Sequence, residues 1–327
     1  MSPARFSQLA PYAVLPLLMA LAYPTMAPGD WVTLTVAGLA MGMLLFLMAA
    51  GLTLIFGLMD VLNFAHGAFI TLGAFVAVSV LAPLAGWTGA GSWGLNLAAL
   101  ALAILAAAAA GGAAGLVFER VIVRRVYGAH LRQILITVGG LIVAEQLFVV
   151  VWGPDAIPLA KPASLRGGIA LGPATVEKYR LLCLGLGLIV AAAMQLVLTR
   201  TRIGLLVRAG VENREMVEAL GYRIRRLFVG VFAAGTALAA LGGVMWALYQ
   251  EQVTSRIGSD LTILVFIVII VGGLGSVGGC FVGAILVGLV ANYAAFLVPK
   301  LALGSNILLL AAILMWRPRG LFPVAPW

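Results

Sequence analysis

The sequence predicts an all-α, polytopic transmembrane helical bundle of about 8–10 spans, some of them broken or re-entrant, and three observations predict it. Of the 327 residues, 63% are hydrophobic and 9% charged, against about 45–50% and about 25% in soluble domains. Apolar runs of about 20 residues, long enough to cross a bilayer as helices, recur along almost the whole chain. The cations behind the +9 net charge fall in clusters between these runs, as orientation signals do. Together these exclude a disordered chain, a disulfide scaffold and a soluble nucleotide-binding enzyme.

Ten runs carry the reading. Residues 10–28 follow one Arg and have the form of a signal peptide, but a chain with so many later spans needs no removable leader, so they are read as an uncleaved first helix. Residues 31–57 are longer than one crossing requires, and 66–82 resume after the polar interruption Asp60, Asn63 and His66. Residues 93–118 lead into Arg120, Arg124, Arg125 and Arg132. Residues 133–151 contain Glu145, the sole acid inside a run. Residues 179–198 end at a second cluster, Arg200 to Arg226, and 227–249 precede a segment with Glu251, Arg256 and Asp260, which together with the mixed charges of 152–178 leaves that face charge-balanced. Residues 261–274 and 303–316 are short for a crossing, and the break before 278–298 is nearly all Gly and Ser. Eight full spans plus re-entrant pieces is therefore the alternative count. Starting inside, alternation places both Arg clusters, the pair Arg317 and Arg319, and both termini on the cytoplasmic face. Five runs per half permits an inverted repeat, although no convincing internal sequence match accompanies it.

Irregular backbone at membrane depth survives only where protein or a watery cavity satisfies its polar groups, and broken helices in transporters flank the solute path. Translocation-path candidates are accordingly Asn63, His66 and Gly67 at one break, Gly273 and Gly275 at the other, and Glu145. Each has a plainer alternative. Asp60 would cap the next helix, His66 would be a satisfied interhelical donor, and Glu145 would make a helix–helix hydrogen bond. Gly38 and Gly42, Gly111 and Gly115, and Gly275, Gly279 and Gly283 repeat every four residues, which lines one helix face for close packing. Gly273, Gly275 and Gly278 match G-x-G-x-x-G, but no soluble strand precedes them and no acid follows at the required distance. A phosphate-binding G-x-x-x-x-G-K-[ST] loop is absent, so any ATP is used by another chain. Cys183 and Cys280 lie in separate apolar runs without neighbouring ligands; no metal, cofactor, catalytic group or nucleic-acid partner is expected. Residues 199–226 read as a cytoplasmic segment with a polar helix, on which Met216, Val217 and Leu220 offer an apolar grip and Gly221 a C-cap.

GLTLIFGLMDVLNFAHGAFITLGAF resembles the signature of the permease subunits of branched-chain amino acid ABC importers, more closely the LivH than the LivM subgroup. VGGLGSVGGCFVGAILVGL resembles that family's late glycine-rich segment, ENREMVEALGYRI its cytoplasmic loop, and RPRGLF its ending, in the same order over about 38–321. The resemblance implies a non-catalytic ABC importer permease in the bacterial inner membrane. It would form one domain over 1–327 with an ATPase-coupling loop at 199–226. The implied partners are a homologous LivM-like permease, two cytoplasmic ATPase subunits that bind the ATP, an external solute-binding protein and membrane lipid. It also implies that 63–67 form a broken-helix motif and that 211–221 form the coupling helix, with Glu212, Glu215, Glu218, Ala219 and Gly221. The implied solute is a branched-chain or other hydrophobic amino acid, or a small relative of one. The rival reading is a stand-alone transporter coupled to protons through Glu145 and His66.

Overall fold

The computed structural model describes residues 3–212 and 214–323. In order it contains α1 (Pro3–Ala22), α2 (Pro28–Met59), α3 (His66–Leu81), α4 (Ala85–Gly89), α5 (Trp93–Val121), α6 (His130–Trp152), α7 (Lys178–Arg200), α8 (Arg202–Glu212), α9 (Arg214–Ala219), α10 (Ile224–Gln250), α11 (Ile257–Gly272), α12 (Val277–Leu297) and α13 (Ser305–Trp316). Each of the ten apolar runs becomes one helix. Among the described residues six helices (α2, α5, α6, α7, α10 and α12) are long and apolar enough to cross a membrane, and four others are apolar but shorter. The chain is thus an all-α, multi-pass membrane protein.

The chain ends of these helices sort into two faces. The ends of α2, α5, α7, α11 and α13 and the starts of α6, α10 and α12 lie together with α8 and α9, and this face carries all three Arg clusters. The opposite face carries the short strands β1 (Ile157–Pro158), β2 (Gly168–Leu171), β3 (Ala174–Glu177) and β4 (Gln252–Val253). β1 pairs with β4 and β2 with β3, both antiparallel. Gly172, at φ +60°, makes the tight β2–β3 turn that a side chain would strain. Asn96 locks the strand-bearing face: its amide donates to the carbonyls of Trp87 and Ala90, and its oxygen accepts from Ser164.

A buried lysine fastens the same face. Lys161 Nζ lies 2.5 Å from Glu177 and 3.3 Å from Glu251, and 5.4 Å from the centre of the Tyr179 ring. Burial pulls against its charge, but the hydrogen bond and charge of Glu177, then those of Glu251, hold the ammonium above the ordinary lysine value. A raised value in the folded state means that this stabilisation is complete below about pH 10.4 and disappears as pH climbs past the raised value. Lys161→Met leaves two acids facing each other. It is expected to lower stability by about 1–2 kcal/mol, less than a fully buried pair because Glu251 is half exposed. The loss should be read as a lower melting temperature at neutral pH, with the difference from wild type closing in strongly alkaline buffer.

In lipid there is little hydrophobic drive between helices, so close van der Waals packing at small residues must hold the bundle. α2 runs through the centre, packed on α12, α10 and α7, whereas α6 and α7 expose most of their length. Gly38 and Gly42 admit α12 at Leu289 and Ala284, and Gly111 and Gly115 admit α10 at Thr236. Gly279 and Gly283 pack on α11 at Gly272 and Val268. Gly275 departs from that expected stripe: at φ +79° it lies in the turn between α11 and α12, outside any helix.

The two halves of the chain mirror each other. α2 and α10 are long helices, each ended by an acid in the left-handed region, Asp60 at φ 51° and Glu251 at φ 56°. These are the only non-Gly residues with positive φ among those described. After each comes a short irregular return and then a helix of 16 residues, α3 or α11. Each short helix carries Gly at its second position and Thr four residues on: Gly67 and Thr71, Gly258 and Thr262. α5 then packs on α10 as α12 packs on α2. The inverted repeat that the count permits is present in the architecture.

Candidate functional site

Two short helices that begin inside the bundle define the site. α2 ends at Met59 on the arginine-rich face, yet a ring nitrogen of His66, the first residue of α3, is 2.9 Å from the carbonyl of Met48. Met48 is eleven residues back along α2, which at about 1.5 Å per residue is roughly 16 Å of depth. Residues 60–65 therefore climb from the face to mid-bundle as irregular chain. α11 does the same from the other side: Gly243 of α10 packs on Ile70, Gly258 packs on Gly67, and α10 runs on to Gln250 before the chain returns.

The first turns of α3 and α11 cross with their backbones touching. A Cβ on Gly67 would collide with Thr262 Oγ1 and the Gly258 carbonyl, and one on Gly258 with the Gly67 carbonyl. The Gly258 N–H donates to Thr71 Oγ1 at 2.9 Å, which satisfies one of the amides that every helix start leaves open. Thr262 donates to the Gly258 carbonyl. Two helix N-termini, each with a partial positive charge, thus lie at depth around one crossing.

Asn63 shapes the climb. Its Oδ1 accepts from the Ala65 N–H at 3.1 Å, and its carbonyl accepts from the His66 N–H at 3.2 Å. The Phe64 N–H donates to Thr137 Oγ1 of α6, and the Phe64 ring stacks on Phe266 of α11 at 4.7 Å. Both Asn63 and His66 are fully buried, and Asn63 Nδ2 and His66 Nδ1 have no partner among the described residues. Asp60 does not cap α3; it ends α2 in the left-handed conformation, is exposed, and faces His130 at 3.7 Å. The cause is positional, since α3 starts roughly 16 Å deeper than Asp60 lies.

Gly273 and Gly275 form the second break, at the arginine-rich rim. Gly273 has φ +110°, and a Cβ on Gly57 near the end of α2 would be 3.0 Å from Gly275, so the two breaks meet there. The last carbonyls of α11, on Val271 and Gly272, accept from the N–H groups of Leu321 and Phe322 at 2.9 Å, and Ser276 caps α12 by accepting from Gly279. Glu145 lies apart from both breaks, on the exposed helix α6, and its buried Oε1 has no partner within the described chain. Among the described residues Glu145 makes no hydrogen bond to another helix, the plainer of the two roles read for it. No hydrogen bond or ion pair among the described residues joins it to His66.

The segment between α7 and α10 is two helices rather than one. α8 packs on the end of α2, with Gly210 against Leu58, two residues before Asp60. α9 ends as foreseen at Gly221, φ +85°, where the Tyr222 N–H donates to the Val217 carbonyl and the Gly221 N–H to that of Glu218, closing the helix as a Schellman motif. Val217 is buried against the bundle; Met216 and Leu220 are 60% and 70% exposed, as are Glu218 and Ala219 beside them. The side chains of Glu212 and Glu215 lie outside the described residues. Sequence reasoning missed Thr71, Gly258, Thr262 and Thr137. The available signal was the Gly-x-x-x-Thr spacing at the start of two short apolar runs.

Comparison with known proteins gives a consistent picture. The family model described as branched-chain amino acid transport system / permease component matches residues 34–316. The chain is 28% identical over 301 residues to the high-affinity branched-chain amino acid transport system permease protein BraD of Pseudomonas aeruginosa, covering 88% of this chain and 94% of the relative. To LivH of Escherichia coli K12, named in the same way, it is 26% identical over 290 residues, covering 87% and 92%. A shorter match, 28% over 145 residues, covers 39% of this chain and 42% of a probable LivM permease of Methanocaldococcus jannaschii. No solved structure matches.

Proposed function

This chain belongs to the branched-chain amino acid transport permease family, and from that premise we propose that it is the membrane half of an ATP-driven importer for branched-chain or other hydrophobic amino acids, or small solutes like them. It pairs with a homologous permease, two ATPase subunits and an external solute-binding protein, and performs no bond chemistry itself. The arginine-rich face, both termini and α8–α9 are cytoplasmic, in the inner membrane of a bacterium. All 327 residues form one permease domain.

The observation that carries this reading is the crossing of α3 and α11 at Gly67 and Gly258, where two broken helices from opposite faces meet at depth. Sites at the interface of inverted repeats are built in this way, and rocking one repeat against the other opens them alternately. The motor reaches the crossing through the chain itself. α9 presents Met216 and Leu220 outward as a grip for the ATPase, with Glu218 and Ala219 exposed beside it and Glu212 and Glu215 assigned to the same coupling loop, and α8 leans on the end of α2 where the climb to His66 begins. A shift of the ATPase then biases the permease by its differential binding to the two states.

Leu220→Asp combined with Met216→Asp places charges at these two exposed positions of the grip. In the reconstituted complex, stimulation of ATP hydrolysis by loaded binding protein should fall at least about fivefold, the low end of a coupling free energy of about 1–3 kcal/mol, with unchanged membrane insertion. Full stimulation by the double variant would refute the assignment of α9. Solute uptake by the isolated chain under a proton gradient would refute the importer reading as a whole.

A further inference from the structure

A cavity of about 840 Å³ opens on the arginine-rich face between the end of α5 and the start of α10. Five guanidinium groups line it: Arg120 and Arg124 at the end of α5 and in the turn after it, and Arg223, Arg225 and Arg226 at the start of α10. Two acids oppose them, Glu119 and Glu218, so the walls keep a surplus of three positive charges by count (five minus two). The 27-residue helix α10 adds its positive end, because its N-cap, Arg223, makes no side-chain capping bond.

Glu119 makes this more than a basic surface. It is fully buried, its Oε1 accepts from the Tyr127 hydroxyl at 2.8 Å, and its Oε2 has no donor among the described residues. A buried carboxylate oxygen without a donor is costly, and in a cavity otherwise built for an anion it calls for a ligand that is itself a hydrogen-bond donor. The apolar surroundings say where such a ligand comes from. Val229 and Gly230 of α10 line the cavity, and Val117 and Val121, within a turn of Arg120 on the apolar helix α5, are exposed. Acyl chains fit against that surface, whereas a soluble anion has no use for it.

We propose that this cavity binds one phospholipid bearing an ethanolamine headgroup, with its phosphate among the arginines at the start of α10 and its ammonium on Glu119 Oε2. The site lies beside the end of α9, so its occupancy stiffens the hinge through which α9 is attached to α10.

The test uses the intact chain in phosphatidylcholine nanodiscs doped with a minor fraction of either phosphatidylethanolamine or phosphatidylglycerol. Native mass spectrometry reads the retained lipid, and an arginine-modifying reagent reads protection of Arg223 and Arg226. The expected result is ethanolamine lipid enriched at least about fivefold over both others, with the arginines protected only in its presence. Arg223→Gln with Arg226→Gln should abolish retention, while Glu119→Gln should keep phospholipid but lose the preference for ethanolamine over choline. Should Glu119→Gln fail to fold, the wild-type lipid comparison and the arginine pair still decide. Equal retention of all three lipids, protection by inorganic phosphate alone, or protection that appears only when the ATPase binds would each overturn the proposal.

Discussion

Gly258→Val is expected to remove the folded protein from the membrane, the largest effect of any single substitution in the helical core. Overpacking a core costs about 1–3 kcal/mol when neighbouring side chains can give way. At Gly258 the colliding atoms are the carbonyl of Gly67 and the hydroxyl of Thr71, so the two helix backbones would have to part. Parting them also breaks the Gly258 N–H to Thr71 bond at 2.9 Å, which leaves a helix-start amide unsatisfied at depth. The sum is expected at or above about 3 kcal/mol, a large share of the roughly 5–15 kcal/mol by which proteins are usually stable. Gly67→Val should behave alike, because it meets the same crossing from the other side. Gly139→Ala is the control: nothing lies within 4 Å of a Cβ there, and the change should be neutral or slightly stabilising. Detergent-solubilised yield and monodispersity on size exclusion check all three, and a monodisperse, heat-stable Gly258→Val protein would show that the crossing tolerates separation.

The ten apolar helices and their order were legible in sequence because lipid-crossing segments obey a length and polarity rule that needs no partner information. The face on which the arginines gather was legible for the same reason. What remained hidden was depth. Nothing in the residues 60–65 says that the chain climbs back into the bundle before α3 starts; that follows from the bond between His66 and the Met48 carbonyl, a contact across eighteen residues. For the same reason Asp60 reads as a cap for the next helix when in fact it ends the previous one. The glycine stripe from Gly275 to Gly283 was right in its helical part and failed at Gly275, since four-residue spacing cannot distinguish a helix face from a positive-φ turn directly before it. The inverted repeat leaves so little sequence trace because it needs only an acid able to turn left-handed, a Gly and a Thr at matching places. Those few positions meet at the crossing, where backbone contact leaves little choice of residue.

His66→Leu and Asn63→Leu should each reduce solute uptake at least about tenfold while leaving the chain inserted and bound to its partners. The stability term alone is small: a hydrogen bond contributes about 0.5–1.5 kcal/mol, and interhelical polar contacts in membranes average about 0.6 kcal/mol. Neither figure would unfold a bundle whose packing lies elsewhere. Position is the larger consequence. The bond from His66 to Met48 sets the height at which α3 begins, and the Asn63 oxygen on the Ala65 N–H sets the turn that delivers it there. Leucine fits the apolar surroundings but makes neither bond, so the start of α3 can slide along α2 and the crossing with Gly258 loses its register. Asn63 Nδ2 and His66 Nδ1 have no partner among the described residues and keep hydrogen-bonding capacity for a passing solute; leucine removes that capacity as well. His66→Gln separates the two contributions. It can still donate to the Met48 carbonyl, so it should regain much of the uptake if height is what matters, and little if the second ring nitrogen meets the solute. Uptake by the reconstituted complex, normalised to ATPase subunits bound, is the measurement, and wild-type uptake by both leucine variants would show that this break does not govern the path.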